Sequence, residues 1–518
     1  MTARRSWVIS AIQLGVVHAC VIGCARQPAP VPAPAPVIGT TASVATPAAS
    51  AVPARTQGAL QQFVDSLVEL PQFASAHWGV LVVAPDRRDT LASVQSDRLV
   101  MPASNMKLVT AAVGLTQLGP DFTWPTEISR TGTVVRGVLR GDLIVAGAGD
   151  PSISTAMRDD PLSAFDPLVA ALRTAGITRI DGRIRAADST VFPGSPYGYG
   201  WDYDDLDTEY GAGVTDLMFN EAFTDVEVRG CGRVGSVACV TTAPLRTSPT
   251  VRSTVRTRAA GTGGPDITWW RDSGSAPGLT IRGSIATGDT YRFSASQPDG
   301  RGTYLAAITE ALTRAGIRVT ATSSHRAGTA TARTPLVALT SRPLREVLAA
   351  MQKPSQNQIA EVLFRTIGRM NTGVGTPDSA RAVVERQLTA WNVRSDAHAI
   401  RDGSGLSRHD YLTPRLLVQV LDTMRRSPFF DVFYESLPIA GEDGTLQYRM
   451  QAFAQRRVRA KTGTIDKARA LSGYVTTADG ELLIFSIIAN NQTVPTREVD
   501  RVAELIVERL VRTRRPAP

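Results

Sequence analysis

Residues 102–112 read PASNMKLVTAA, which sets Ser104 three places before Lys107 at the head of an apolar helical run. Residues three apart share a face of a helix, so the serine hydroxyl and the lysine amine point the same way. At a helix N-terminus the dipole, worth about half a positive charge, favours a developing alkoxide. The lysine can take the serine proton only while it is neutral. From an ordinary pKa near 10.4, a fall of about 3 units corresponds to about 4 kcal/mol, which burial and a nearby cation must supply. Arginine could not serve, because its guanidinium stays protonated. The chain writes nearly all of its 56 Lys and Arg residues as arginine, and its only lysines are Lys107, Lys353, Lys461 and Lys467. Position 107 therefore reads as one that needs a base able to lose its proton. Alone, the pair fits equally a serine that caps a helix beside a surface lysine.

Two further segments bear on the choice. Ser355-Gln356-Asn357 opens the helical stretch QNQIAEVLFRTIG, and Lys461-Thr462-Gly463 stands just before an apolar hairpin near the C-terminus. Each triplet alone is common; SxxK, SxN and KTG in that order are not.

The elements that must bring these residues together follow from pattern. HWGVLVVA (77–84) and DTLASVQ (89–95) read as strands about a turn at Pro85-Asp86, and 104–119 reads as a helix stopped by Gly119-Pro120. From about 130 to 330 the chain turns rich in Gly, Thr and short β-branched runs such as DVEVRG and LTIRGSIA, which predicts a mostly β insertion with little helical periodicity. Helical pattern returns around 303–315 and from 344 onward. ALSGYVTT (470–477) and ELLIFSIIAN (481–490) flank a turn at Ala478-Asp479-Gly480 and predict a hairpin of two buried strands. A last helix over 496–512 places Val499, Val502, Leu505, Ile506 and Leu510 on one face.

SxxK, SxN and KTG are together the signature of penicillin-binding proteins and serine β-lactamases. With GDLIVAGAGDPSIS (141–154), WDYDDLDTEYGAGVTDLMFNE (201–221), DGSGLSR (402–408), LPIAGEDGTL (437–446) and AKTGTIDKARALSGYV (460–475), the chain resembles one group more narrowly. It is similar, from about residue 59 to 512, to the class C low-molecular-mass penicillin-binding proteins, the D-alanyl-D-alanine carboxypeptidase/endopeptidases. The resemblance implies an α/β (α+β) serine β-lactamase/transpeptidase-like domain, an antiparallel sheet covered by helices, with a large, mostly β insertion in two parts. Residues 57–130 and 331–518 would form that domain and 131–330 the insertion. The implied roles are these. Ser104 attacks the carbonyl of the penultimate D-alanine of a peptidoglycan stem peptide and forms an acyl-enzyme. Lys107 is the base. Ser355 and Asn357 relay a proton to the leaving amine and position the peptide. Lys461 adds a second positive charge beside Lys107 and attracts the terminal carboxylate, which Thr462 and Thr464 bind. Backbone N–H groups of Ser104 and Thr464 form the oxyanion hole, Gly463 keeps the strand free of a side chain, and β-lactams act as inhibitors with no cofactor involved. Gln356 departs from the family's usual Asp; its side chain is expected to point away from the site.

Rival readings fare less well. No GxSxG elbow marks an α/β-hydrolase, and no ExxLN segment supplies the deacylating glutamate of class A β-lactamases. The long insertion argues against a compact lactamase. A non-catalytic wall-binding lipoprotein would tolerate a broken motif, yet Ser104, Lys107, Ser355, Asn357, Lys461 and Thr462 are all present.

Composition sets the remaining bounds. At 518 residues, two or three domains are expected. The formal charge of +9 suits an anionic partner such as cell wall, although an arginine-rich composition also drifts basic by itself. No basic block with interleaved aromatics, zinc-finger spacing or RNA-binding signature is present, so nucleic acid is not an expected partner. MTARRSWVISAIQLGVVHACVIGC has the layout of a secretory signal over residues 1–23. Val21-Ile22-Gly23-Cys24 resembles a bacterial lipobox, which would leave Cys24 to carry lipid; ordinary cleavage after Ala19 is the other reading. Residues 24–56, rich in Pro and Ala, read as a tether between that lipid and the folded part. Exported, periplasmic residence with an outer-membrane lipid anchor is the expectation. Cys231 and Cys239 sit in a Gly-rich loop of an exported chain and are expected to pair as a disulfide. The five histidines show no metal-ligand spacing, so no metal is expected.

Overall fold

The computed structural model describes residues 58–272, 277–320, 332–454 and 456–515. The signal, Cys24 and the tether lie outside the described residues.

The central sheet is assembled from both ends of the chain. β1 (His77–Ala84) and β2 (Asp89–Val94) join β3 (Val458–Ile465), β4 (Ala468–Thr476) and β5 (Leu482–Asn490) in the order β2-β1-β5-β4-β3, with every pair antiparallel. Five helices frame it: α1 (Ala59–Val68), α2 (Met106–Leu118), α3 (Asn357–Thr372), α4 (Pro414–Arg425) and α5 (Thr496–Arg512).

Strand alternation sends successive side chains to opposite faces. On β5, Leu483, Phe485, Ile487 and Ala489 join a core with Val64 of α1 and with Val499, Ile506 and Leu510 of α5. The intervening Ile484 and Ile488 join a second core with α2, α3 and α4. Both faces are covered, which is why ELLIFSIIAN reads as a continuous apolar run rather than an alternating one. Each fully buried Ile, Leu or Phe there contributes roughly 1.5–3 kcal/mol. The last helix forms over the expected residues, and its face buries Ala503 and Val507 as well, with Leu505 only half-buried.

The chain leaves and re-enters this domain through an antiparallel pair, Pro125–Arg130 against Thr334–Thr340. Between them lie two separate apolar cores. One packs short strands around the helices Asp166–Thr174 and Gly300–Arg314. The other lies within two small sheets built on Phe223–Arg229 and Gly278–Ala286, beside the loop that the Cys231–Cys239 disulfide closes. The stretch between the paired strands thus packs around two cores and carries more helix than its Gly/Thr-rich composition suggested. Asp166–Thr174 buries only Leu168, Val169 and Leu172, too few apolar positions to stand out as a period in sequence.

Candidate active site

Ser104 lies in a single 3-10 turn, Ala103–Asn105, that leads into α2. Ala103 before it has a φ of 46°, a left-handed conformation that costs a non-glycine residue about 1 kcal/mol or more. The turn is held from both sides. Asn105 Nδ2 donates to the Lys461 carbonyl at 2.9 Å. Gly463 on β3 is packed so closely that a Cβ would stand 2.7 Å from the Pro102 oxygen and 3.2 Å from the Ala103 Cβ. Gly405, at φ +80°, presses on the same turn, its Cβ position 1.9 Å from the Ala103 oxygen. Two glycines therefore fix where Ser104 sits.

The motif residues converge. Lys107 is wholly buried. Its Nζ lies 2.9 Å from Ser104 Oγ, 2.6 Å from Asn357 Oδ1 and 2.8 Å from the Ser404 carbonyl. Asn357 is oriented by its own amide, whose Nδ2 donates to the Tyr210 carbonyl at 2.9 Å. Asn357 Oδ1 and Ser404 O can only accept. A neutral amine has two hydrogens and one lone pair; with both hydrogens given to these oxygens, the lone pair faces the Ser104 hydroxyl.

Electrostatics agree. Burial brings Lys107 down to about 7, against the opposing pull of Asp402, Glu361 and Asp410. Lys461, also wholly buried, is held well below its usual value by burial and then by the charge of Lys107. The repulsion between the two amines thus registers on Lys461, while burial does the main work on Lys107. Lys461 Nζ donates to Ser355 Oγ at 2.8 Å and to the Thr462 carbonyl at 2.9 Å. Ser355 has a φ of 68°, another strained residue at the site. Gln356 turns its side chain back to cap α3, its Oε1 accepting from Gln358 N at 2.8 Å. That supports the expectation that its departure from Asp leaves the cleft untouched.

Sequence reasoning missed the layer behind Lys107. Glu361 Oε1 accepts from the N–H groups of Gly403 and Ser404 at 2.9 and 2.8 Å. Asp402 accepts from Ser404, Gly405 and Ser407 N–H and from Trp201 Nε1. Together the two carboxyls hold the loop whose Ser404 carbonyl touches Lys107. Burial lifts Glu361 to about 7, with the charge of Asp402 adding to it. Burial likewise holds Asp410 well above the carboxylate range. DGSGLSR stood out in the sequence, but nothing in its residue types announced that a backbone carbonyl would be its contribution. Trp201 and Tyr210 come from the insertion, which therefore buttresses the site.

A cleft of about 550 Å³ opens over Ser104, bordered by Ser355, Asn357, Thr464, Arg408 and Asp466. β3 is the edge strand of the sheet; its first residues bridge on the outer side to the segment around Ile439, and the later part, which borders the cleft at Thr464 and Ile465, is where an extended peptide could add as a strand. Thr462 Oγ1 donates to Thr445 Oγ1 at 2.7 Å, whereas Thr464 is exposed to the cleft. Among the described residues no cluster of three or more His, Cys, Asp or Glu is arranged to hold a metal ion. None of the helices described is long and apolar enough to cross a membrane.

Residues 60–510 match the model of the D-Ala-D-Ala carboxypeptidase 3 (S13) family. A D-alanyl-D-alanine carboxypeptidase of Actinomadura sp. (strain R39) is 30% identical over 453 residues, covering 84% of this chain and 82% of its own. The D-alanyl-D-alanine carboxypeptidase DacB of Haemophilus influenzae is 24% identical, covering 81% and 86%. The crystal structure of penicillin binding protein 4 (dacB) from Haemophilus influenzae superposes with a TM-score of 0.74 at 24% identity, over 87% of this chain and 99% of that one. The same fold recurs, at a TM-score of 0.70 and 23% identity, in that protein complexed with a β-lactam, over 87% and 99% of the two chains.

Proposed function

The chain belongs to the D-Ala-D-Ala carboxypeptidase 3 (S13) family, and we propose that it works as a serine D-Ala-D-Ala carboxypeptidase with Ser104 as its nucleophile. The observation that carries this reading is the buried Lys107 amine, 2.9 Å from Ser104 Oγ and supplied with two acceptor-only oxygens.

Ser104 Oγ attacks the carbonyl of the penultimate D-alanine of a peptidoglycan stem peptide while its proton passes to Lys107. The Oγ–C bond forms, the C–N bond breaks, and the proton taken by Lys107 reaches the leaving amine by relay through Ser355, which gives up its own proton and is reprotonated, so that Lys107 ends neutral. Asn357 aligns the peptide as well as the lysine. Thr462, Gly463 and Thr464 line the open edge of β3, where the substrate backbone would lie as an added strand. The N–H groups of Ser104 and Thr464 face the developing oxyanion, each such donor being worth about 10²–10³ in rate. Water then attacks the ester by the same route in reverse. A β-lactam offers Ser104 an equivalent carbonyl and is held as a slowly released adduct.

The layout of residues 1–23, two arginines ahead of an apolar stretch that ends in small residues, and the Cys231–Cys239 disulfide support export to an oxidising compartment. Lipidation at Cys24 would tether the enzyme to the outer membrane, facing the periplasm. Radiolabelled palmitate incorporated by the full chain and lost in Cys24→Ala tests that anchor.

The test of the catalytic reading is fluorescent penicillin, followed by mass mapping. A stable adduct on Ser104, absent in Ser104→Ala, together with release of D-alanine from a D-Ala-D-Ala peptide, is expected. No adduct on folded protein would overturn it, and an adduct hydrolysed within seconds would move the assignment to a β-lactamase.

A further inference from the structure

An enzyme that removes a residue bearing a carboxylate needs positive charge where that carboxylate lies. Lys461 is poorly placed to give it. Its side chain is wholly buried, and its amine is spent on Ser355 Oγ and the Thr462 carbonyl. Arg408 borders the cleft, but its Nε donates to Asp202 at 2.6 Å and its Nη2 lies 3.7 Å from Asp466. Both of those carboxylates line the cleft beside it, so a ligand carboxylate at Arg408 would meet their negative charge as well.

Arg469 is placed differently. It sits on β4 directly opposite Thr464 on β3, so both side chains leave the same face of the sheet. Its Nη1 donates to Thr464 Oγ1. Its Nε and Nη2 grip the two oxygens of Asp500 on α5. Asp500 is shared with Arg449, which in turn pairs with Glu504 at 2.7 Å. The chain of contacts runs from the cleft to the outer helix, and its positive end is the one at the cleft.

The hydroxyl chemistry follows. A guanidinium only donates. Thr464 Oγ1 therefore accepts from Arg469, and its own O–H must point elsewhere. Thr464 is exposed to the cleft, and the hydroxyl of Thr462 is directed at Thr445. The Thr464 O–H is the donor left for a ligand.

We propose that Arg469, clamped by Asp500, is a positioning and specificity-determining residue that turns the Thr464 hydroxyl into a charge-backed donor for the α-carboxylate of the leaving group. The proposal rests on the carboxypeptidase reading above. It applies to any leaving amine that carries an α-carboxylate, whether free D-alanine or a larger amino acid.

The experiment uses the full chain with a matched pair of peptides ending in D-Ala-D-Ala, one with a free C-terminal carboxylate and one with a carboxamide. Wild type, Arg469→Gln, Arg469→Lys, Asp500→Asn and Lys467→Ala are compared. Arg469→Gln is expected to lose about 10- to 100-fold in kcat/KM on the carboxylate peptide, mostly through KM, and under about threefold on the carboxamide, as for a hydrogen bond backed by charge. Asp500→Asn, which leaves the guanidinium in place but loosens it, gives the same selective loss at smaller size, and Arg469→Lys restores part of it. An equal loss on both peptides, no loss on either, or a selective loss that appears in Lys467→Ala instead overturns the proposal. If Arg469→Gln fails to fold by circular dichroism, the Asp500→Asn ratio decides alone. Penicillin labelling of wild-type Ser104 separates the two levels: no labelling sinks the carboxypeptidase reading itself, while labelling without carboxylate selectivity sinks only the role of Arg469.

Discussion

The carbonyl oxygen of Ser404 lies 2.8 Å from the amine of Lys107, 297 residues earlier in the chain. With Asn357 Oδ1 it accounts for both hydrogens of a neutral amine, so the unshared pair is aimed at Ser104 by exclusion. Two oxygens that can only accept thus orient the amine.

Replacing that base tests the arrangement. Lys107→Arg keeps charge and bulk but cannot give up its proton. Acylation of Ser104 by fluorescent penicillin, followed by stopped-flow, is expected to slow by about 10²–10⁴-fold in Lys107→Arg and Lys107→Ala alike. Arginine that kept most of the rate would mean the serine proton goes elsewhere.

Acylation should also follow pH in one direction. Burial brings Lys107 to about 7, and only the neutral form accepts the proton. The rate constant of acylation is expected to rise through pH 7 and level off above it. A flat profile between pH 5 and 9 would count against Lys107 as the base.

Glu361 offers a stability test of opposite sign to the lysine. The folded chain keeps the Glu361 proton up to about 7, while the ordinary glutamate value is 4.5. Between those values the folded state binds more protons, so this group's contribution to stability falls as pH rises. Lys107, lowered from 10.5 to about 7, is protonated in the unfolded chain across that interval and not in the folded one, so its contribution rises with pH there. Glu361→Gln preserves an acceptor for the Gly403 and Ser404 N–H groups and abolishes the first effect. Relative to wild type, its Tm should improve from pH 4.5 to pH 7 and stay level above. The acylation midpoint should move down, since the Glu361 charge favours protonated Lys107. A Tm difference that is the same at pH 5 and pH 8 would refute this.

Gly463→Ala places a methyl 2.7 Å from the Pro102 oxygen, immediately beneath the nucleophile. A displacement approaching 1 Å there costs about 10²-fold in rate. Penicillin labelling should slow by that order while circular dichroism stays unchanged. Full-speed labelling would show that the turn tolerates the shift.

The Cys231–Cys239 bridge closes a short loop, with a sequence separation of 8, in the second part of the insertion. Reduction, or Cys231→Ser with Cys239→Ser, is expected to cost about 2–3 kcal/mol of local stability without slowing acylation of Ser104. Differential protease sensitivity around Phe223–Ser296 reads the first effect; penicillin labelling reads the second.

The motif residues that converge were legible because few residue types combine a hydroxyl at a helix start with an amine able to lose its proton three places on. The central sheet was legible in outline because β5 is apolar on both faces. Glu361 and Asp402 were not. They act through backbone N–H groups of a loop, and sequence carries no mark for a carbonyl held in place by another segment. Arg469 escaped for a related reason. One arginine among dozens has no signature until strand register sets it against Thr464. Ala103 and Ser355, both left-handed without being glycine, show local preference overruled by the site's geometry.

The central sheet has a consequence for biosynthesis. β1 is made well before the strand it pairs with, β5. A nascent chain that stops before Val458 lacks three of the five strands, Lys461 and the wall behind Ser104. Contacts of such long sequence separation form slowly. Until those strands have been made and have paired, Ser104 has neither Lys461 nor that wall beside it.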